Sequence, residues 1–506
     1  MDDCLPSALL PWRGRLAVLS RQLVEQGGGA GGGDDDGRST VAAAAPTSSS
    51  TSSAPPPTPP PPFAVVVLGG CVMDVAATPS AGYSLFPGGS VPGSVTLTPG
   101  GVGRNVAVAL AGLLPLPPPP RVRIVSVVGS DAAGDALVSS LERAGVDASG
   151  VGRLPSSGSE GGEGSDGAGT GAAATAATPV VVSVYDGGTG DVACSVADVA
   201  AVERAFTPEI VRRELSRIER ESGKDFAVVV VVDGNLSAAA VAAAAAASPS
   251  SPGIGLFEPV SVAKGVRAVR GLKCRVMTPN AAELLAMARA VEEREPGCST
   301  SSTSTRSTSG PLLSGGEKGV DSFLGSTLAP AARTLISRGV CEFCLVTMGE
   351  RGAALIGREE AMAPLREGRA DASSLFTAPA AGRRRSGGSS SSGSSGGGGA
   401  ELAACVISAA PVPEVGRGGA GVVSTGGAGD AFAAGFLAAA CRRGGHLGGG
   451  GGGSKKTRTT ISFALAAGAA AAAQVVSSPL SSPRLDVKRV WECAGELKRQ
   501  ARWVTL

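Results

Sequence analysis

Histidine is almost missing from this chain, with one, His446, in 506 residues. The ten cysteines are scattered and Cys341 and Cys344 form a lone C-x-x-C, so the ligands for a structural zinc site are not there. Aromatic residues make up 3% of the sequence and the formal net charge is +2. That leaves neither stacking platforms nor a basic face, which argues against nucleic acid as a partner. No apolar run is long enough to span a bilayer, so no membrane partner is expected. No G-x-x-x-x-G-K-[ST] occurs, which excludes a P-loop nucleotide site. A disulfide framework is disfavoured because cysteines such as Cys71 and Cys405 sit inside apolar, strand-like runs. A cytoplasmic location follows. Leu5 to Val24 carries Arg13, Arg15 and Arg21 among apolar residues, as transit peptides do, whereas Asp2 and Asp3 speak against import; that route stays open.

Glycine, by contrast, is abundant: 76 residues. Many lie in stretches with too little apolar surface to offset the entropy of ordering. These are an N-terminal extension over 1–62 and inserts over about 155–178, 298–320, 383–400 and 444–456. Without them, one domain of about 300 residues remains within 63–506, near the upper limit for a single core.

Within that domain strands and helices alternate. FAVVVLGG (63–70), FAVVVVVDGN (226–235), GIGLFEP (253–259) and CRVMTPN (274–280) read as buried strands, RVRIVSVVGS (121–130) as a strand, and CEFCLVTMGERG (341–352) as a strand and turn. GVGRNVAVALAGLL (101–114), DALVSSLERAG (135–145), AAELLAMARAVEE (281–293) and AFAAGFLAAACRR (431–443) read as helices, and 179–198 as a hairpin. The alternation predicts an α/β fold with a mostly parallel sheet and helices on both faces. Ligands in such folds bind at the carboxyl ends of the strands. Asp74, Asp233, Asn235, Glu258, Asn280, Thr347 and Gly349 all fall at such ends.

Two glycine-rich junctions stand out. In STGGAGDAFAAGF (424–436), Asp430 serves either as a helix-capping carboxylate or as a base beside an anion site. The second reading has a chemical logic. Uncovered N–H groups around Gly427, Ala428 and Gly429 would hold a transferring phosphate, while the acid takes the proton of the accepting hydroxyl. In PGGVGRNVAVAL (99–110), Gly100 and Gly101 permit close approach to a ligand, and Asn105 offers an amide that both donates and accepts. An ordinary loop-to-helix junction would look the same.

Taken in order, GGVGRN, TPNAAE, VTMGERG and STGGAGDAFAAGF resemble the motifs of the PfkB (ribokinase-like) family of sugar and nucleoside kinases. Within it, TPGGVGRNVA, VVGSDAAGDAL, VVVVDGNLS and LFEPVSVAKG look like the pseudouridine kinases, which phosphorylate a ribose 5′-hydroxyl. The resemblance implies a ribokinase-like three-layer sandwich with a small β lid, here at about 84–99 and 179–198. It implies Asp430 as catalytic base, with the N–H groups of Gly427, Ala428 and Gly429 as anion hole. Asp74, Gly100, Gly101, Asn105 and Asp198 would hold the substrate. Asn280, Thr347, Gly349 and Gly427 would line the ATP side, and Asn280 with Glu283 would organise Mg²⁺. Many members also bind a monovalent cation such as K⁺ through backbone oxygens near the last loop. Implied partners are a small nucleoside or sugar and, through the lid, a second copy of the chain. One departure is Ser424, where many members carry an acid used for a sugar contact. Another nucleoside or sugar, such as adenosine or ribose, and a non-catalytic ligand sensor on the same fold are the competing readings.

Overall fold

The run from Val65 to Leu68 is apolar at every position, and the two faces of its strand explain why. Val65 and Val67 pack into one hydrophobic core, and Val66 and Leu68 into a second on the opposite side. The computed structural model describes residues 63–80, 82–114, 121–154, 177–186, 192–222, 228–246, 253–293, 317–376, 401–412, 426–442, 459–476 and 485–506. They belong to one compact unit, Pro62–Leu506.

The strands are β1 Phe63–Leu68, β2 Val72–Pro79, β3 Gly93–Gly100, β4 Arg121–Gly129, β5 Asp147–Leu154, β6 Val180–Tyr185, β7 Val192–Asp198, β8 Val229–Asp233, β9 Ile254–Glu258, β10 Cys274–Met277, β11 Cys341–Thr347, β12 Ala353–Arg358, β13 Leu402–Ile407 and β14 Arg502–Thr505. Ten form the central sheet in the order β14-β13-β12-β11-β10-β9-β8-β1-β4-β5. Neighbours from β11 through to β5 are parallel, whereas β11-β12, β12-β13 and β13-β14 are antiparallel. Helices cover both faces. One core takes the Val102–Leu113, Ala428–Cys441 and Ile461–Val476 helices, and the other takes the Pro208–Ser222, Ala281–Glu292 and Ala329–Ser337 helices. The result is a three-layer α/β sandwich.

In the first core the Ala428–Cys441 and Ile461–Val476 helices touch through small residues. A Cβ on Gly435 would lie 2.6 Å from the carbonyl oxygen of Ala467, and one on Gly468 would lie 2.8 Å from that of Phe432. Only glycine fits at either crossing point.

The other four strands make a small sheet, β3-β2-β6-β7. It corresponds to the expected lid but includes a strand that was not expected. The chain leaves β1 through Gly69 and Gly70 and enters β2 at Val72 without a helix between, so Asp74 lies inside a lid strand and not in a turn after β1. A second difference concerns the insert expected over 298–320. A helix, Glu317–Phe323, occupies its last part, because Val320 packs against the second core. The other expected inserts lie outside the described residues, save Ala177 and Thr178 at the end of the first.

Candidate active site

At the carboxyl end of β8, Asp233 ties three segments together. Its Oδ2 accepts from the backbone N–H groups of Gly70 and Gly103, each at 2.9 Å, and from Asn235 Nδ2 at 3.0 Å. Its Oδ1 accepts from the Asn235 N–H at 2.9 Å. Burial pushes this carboxyl up, more strongly than those hydrogen bonds pull it down. The glycines around it are required, since a Cβ on Gly69 would lie 2.4 Å from Asp233 Oδ2. This clamp places the start of the Val102–Leu113 helix against the end of β1.

Gly101 caps that helix at φ 94°, and one turn in, Asn105 points at the last glycine-rich motif. Asn105 Nδ2 donates to Asp430 Oδ2 at 2.9 Å, while its Oδ1 accepts from Arg104 Nη1 at 3.3 Å. Asp430 is the third residue of the Ala428–Cys441 helix, whose N-cap Gly427 is left-handed at φ 76°. The first N–H groups of a helix have no partner within it, so this turn presents donors beside the acid. Burial is the main cause that pushes the Asp430 carboxyl up to about 7; Asp233 and Asp74 push the same way, and the Asn105 hydrogen bond opposes them.

Asp430 opens into a cavity of about 280 Å³ between the lid and the sheet edge. The lid contributes Asp74, Thr96, Thr98, Ser183 and Tyr185; the sheet side contributes Gly101, Asn105, Asn235, Lys264, Gly426 and Gly427. Gly100 lies against the same wall, where a Cβ would stand 1.9 Å from Asp74 Oδ2. Asp74, Gly100, Gly101, Asn105, Gly427 and Asp430 are therefore gathered in one place.

Asp198 is not part of this lining. It is exposed, and its neighbours Ala197 and Val199 face the cavity instead, as strand alternation dictates. Asn280, Glu283, Thr347 and Gly349 gather at the ends of β10 and β11 without lining the cavity. Asn280 bridges Thr347, and Gly349 follows at φ 62°. Asn280 and Glu283 form a reciprocal capping box: Glu283 N–H donates to Asn280 Oδ1 at 3.0 Å, and Asn280 N–H donates to Glu283 Oε2 at 2.9 Å. Burial pushes the Glu283 carboxyl up. Buried Glu258, at the end of β9, is pushed well above the carboxylate range by burial and then by Asp430; Thr278 Oγ1 donates to it. Ser424 lies outside the described residues.

Two cavity features went unread in the sequence. Lys264 lay in the quoted LFEPVSVAKG, and a lone lysine one turn past a strand-end proline was its only signal. Val260 is the one non-glycine residue with positive φ, 69°, among the described residues, and no sequence signal marks it.

Residues 63–159 match the profile of the pfkB family carbohydrate kinases. The pseudouridine kinase of Arabidopsis thaliana is 29% identical over 296 residues, which cover 58% of this chain and 65% of that protein, just under two thirds of the relative's length. Among solved structures, ribokinase from Giardia lamblia superposes with a TM-score of 0.53 at 16% identity, covering 86% of this chain and 99% of its own. Ribokinase from Thermotoga maritima gives 0.50 at 17% identity, with 86% and 99% covered. The fold is ribokinase-like, and the resemblance carried by the motifs is borne out.

Proposed function

We propose that this chain is a PfkB-type kinase that phosphorylates the ribose 5′-hydroxyl of pseudouridine with ATP. The observation that carries the reading is Asp430: a carboxylate buried at a helix N-terminus, held by Asn105, with a pKa lifted to about 7, inside a cavity roofed by a small sheet. A base with a pKa near the operating pH is matched to taking a proton from a hydroxyl. The bond formed is O5′ to the γ-phosphorus, the bond broken is that between the γ-phosphorus and ADP, and the hydroxyl proton passes to Asp430. The N–H groups of Gly427, Ala428 and Gly429 hold the transferring phosphate, and Asp74, Gly101 and Asn105 hold the ribose hydroxyls. Closure of the lid keeps water from competing as acceptor.

Asn280, Thr347 and Gly349 form the nucleotide side. No group of three or more His, Cys, Asp or Glu side chains that could hold a metal ion occurs among the described residues. The capping box leaves Glu283 Oε1 without a hydrogen bond among them. One carboxylate oxygen suits a Mg²⁺ that arrives on the nucleotide and keeps most of its waters, and the ion's chemistry is to neutralise phosphate charge. A monovalent cation such as K⁺ would be held by backbone oxygens near the last loop. No helix among the described residues is long and apolar enough to cross a membrane.

The outward face of the lid supports a second copy of the chain as partner. Val182 and Val196 stand opposite each other in one cross-strand pair, and Val95 stands on the edge strand β3. Val196 is 72% exposed and Val95 59%, an apolar surface on the side away from the cavity.

A panel of pseudouridine, uridine, adenosine and ribose with saturating Mg-ATP tests the reading. Pseudouridine should show the highest kcat/KM, by roughly ten- to a hundredfold, because an unmatched buried polar group costs about 1–3 kcal/mol. A preference for ribose or adenosine would keep the kinase and replace the substrate; no transfer to any of them would end the reading.

A further inference from the structure

The turn after β9 is built to aim two side chains at the cavity. Ser261 caps the Val262–Ala268 helix, its Oγ accepting from the Lys264 N–H at 3.4 Å. The residue before it, Val260, holds a left-handed conformation that a β-branched side chain rarely adopts. Strain of this kind persists where the surroundings demand it, and such places cluster at ligand sites. Both Val260 and Lys264 line the cavity.

Lys264 is the one cationic side chain among the described lining residues. Its ammonium donates to Asn235 Oδ1 at 2.6 Å and makes no ion pair among the described residues. Asn235 cannot turn to offer anything else, because its amide nitrogen is bound to Asp233 Oδ2 at 3.0 Å. An ammonium has three donors and no acceptor, so two N–H groups remain for a ligand. The carboxylates of Asp74 and Asp430 suit hydroxyls, which need an acceptor. Lys264 suits an atom with lone pairs alone. Beside it, Val260 supplies an apolar surface for a flat ring.

Resting on the kinase reading above, we infer that Lys264 and Val260 form the subsite for the substrate's planar base, with Lys264 donating to a ring carbonyl and Val260 packing on the ring face. Lys264 is then the specificity residue that separates a nucleoside carrying a carbonyl-bearing ring from a free sugar.

Calorimetric binding of pseudouridine and of ribose to the full chain tests this without needing turnover. Lys264→Met should weaken pseudouridine about ten- to a hundredfold and leave ribose within about twofold, and Lys264→Arg should recover most of the loss. Val260→Gly, which accepts the same backbone conformation, should keep the melting temperature and weaken pseudouridine alone. An equal loss for both ligands in Lys264→Met, unchanged pseudouridine binding in it, or wild-type protein binding the two alike would each overturn the subsite. Lys264-dependent pseudouridine binding without phosphorylation of any acceptor would sink the kinase reading and leave the subsite standing.

Discussion

Asn105 and Asp430, 325 residues apart in the sequence, meet in a 2.9 Å hydrogen bond from amide to carboxylate. The bond joins the first glycine-rich motif to the last and engages Oδ2 of the acid, leaving Oδ1 outside it. Because Arg104 holds the other end of the amide, the donor cannot flip away. The bond also favours the charged carboxylate against the burial that opposes it.

The pH profile should report this balance. The kcat/KM for the accepted substrate should rise with pH and level off above about 7, as Asp430 becomes free to take a proton. Asn105→Ala removes the bond that stabilises the anion, so the inflection should move to higher pH. An inflection that stays put in this variant would detach Asp430 from the profile.

Asp430→Asn should lower kcat by about 10²–10⁴-fold while nucleotide binding is kept. The same change should stabilise the fold in alkali. The folded-state pKa of Asp430 lies above its ordinary value of 3.8, so the stability this group contributes is present below that value and lost as pH rises through about 7. At pH 8 the variant should melt above wild type, by about 2–4 °C for each kcal/mol regained, and at pH 5 the gap should narrow. A wild-type turnover number, or a lower melting point at pH 8, would contradict this account.

Asp233→Ala should be the most destabilising of these changes. It strands the buried N–H groups of Gly70, Gly103 and Asn235, each worth about 1–3 kcal/mol when unpaired, so a loss of about 3–5 kcal/mol is expected from urea unfolding. A loss under about 1 kcal/mol would mean that the clamp is incidental.

Glu283→Gln keeps the capping box, since glutamine fills that position as well as glutamate. Melting temperature should hold, while the Mg²⁺ concentration for half-maximal rate rises several-fold. If the Mg²⁺ curve is unchanged, Glu283 serves the helix alone.

Val182→Glu together with Val196→Glu places like charges in one cross-strand pair on the lid's outer face. Sedimentation should show wild type as a dimer and the double variant as a monomer. A wild type that sediments as a monomer would remove the lid as a self-association surface.

The parts legible in sequence were those with a short-range signature. Continuous Val runs marked the parallel strands because both faces of each are buried, and glycines next to Asn105 and Asp430 marked the junctions. Strand β2 was not legible: VMDVAATP is part of one unbroken chain with β1, and the step from central sheet to lid at Gly69 and Gly70 leaves no polar break. The antiparallel strands β12 to β14 are short and follow turns or segments of mixed composition, so nothing in their own residues announced them. Asp198 shows the limit from the other side, since a one-residue difference in register decides whether a strand residue faces ligand or solvent. Asp233 was recognised as a strand-end acid, but its use as a clamp depends on Gly70 and Gly103, which only the fold brings to it.

The glycine contacts between the Ala428–Cys441 and Ile461–Val476 helices determine which part of the machine is still. With a backbone carbonyl against Gly435 and another against Gly468, the two helices meet backbone to backbone, and Asp430 sits on one of them like a tool bolted to a bench. On the proposed kinase reading, the approach that brings acceptor and base together would fall to the four-stranded lid, and adaptation to a new substrate would have its freedom in the roof of the cavity and not in its anvil.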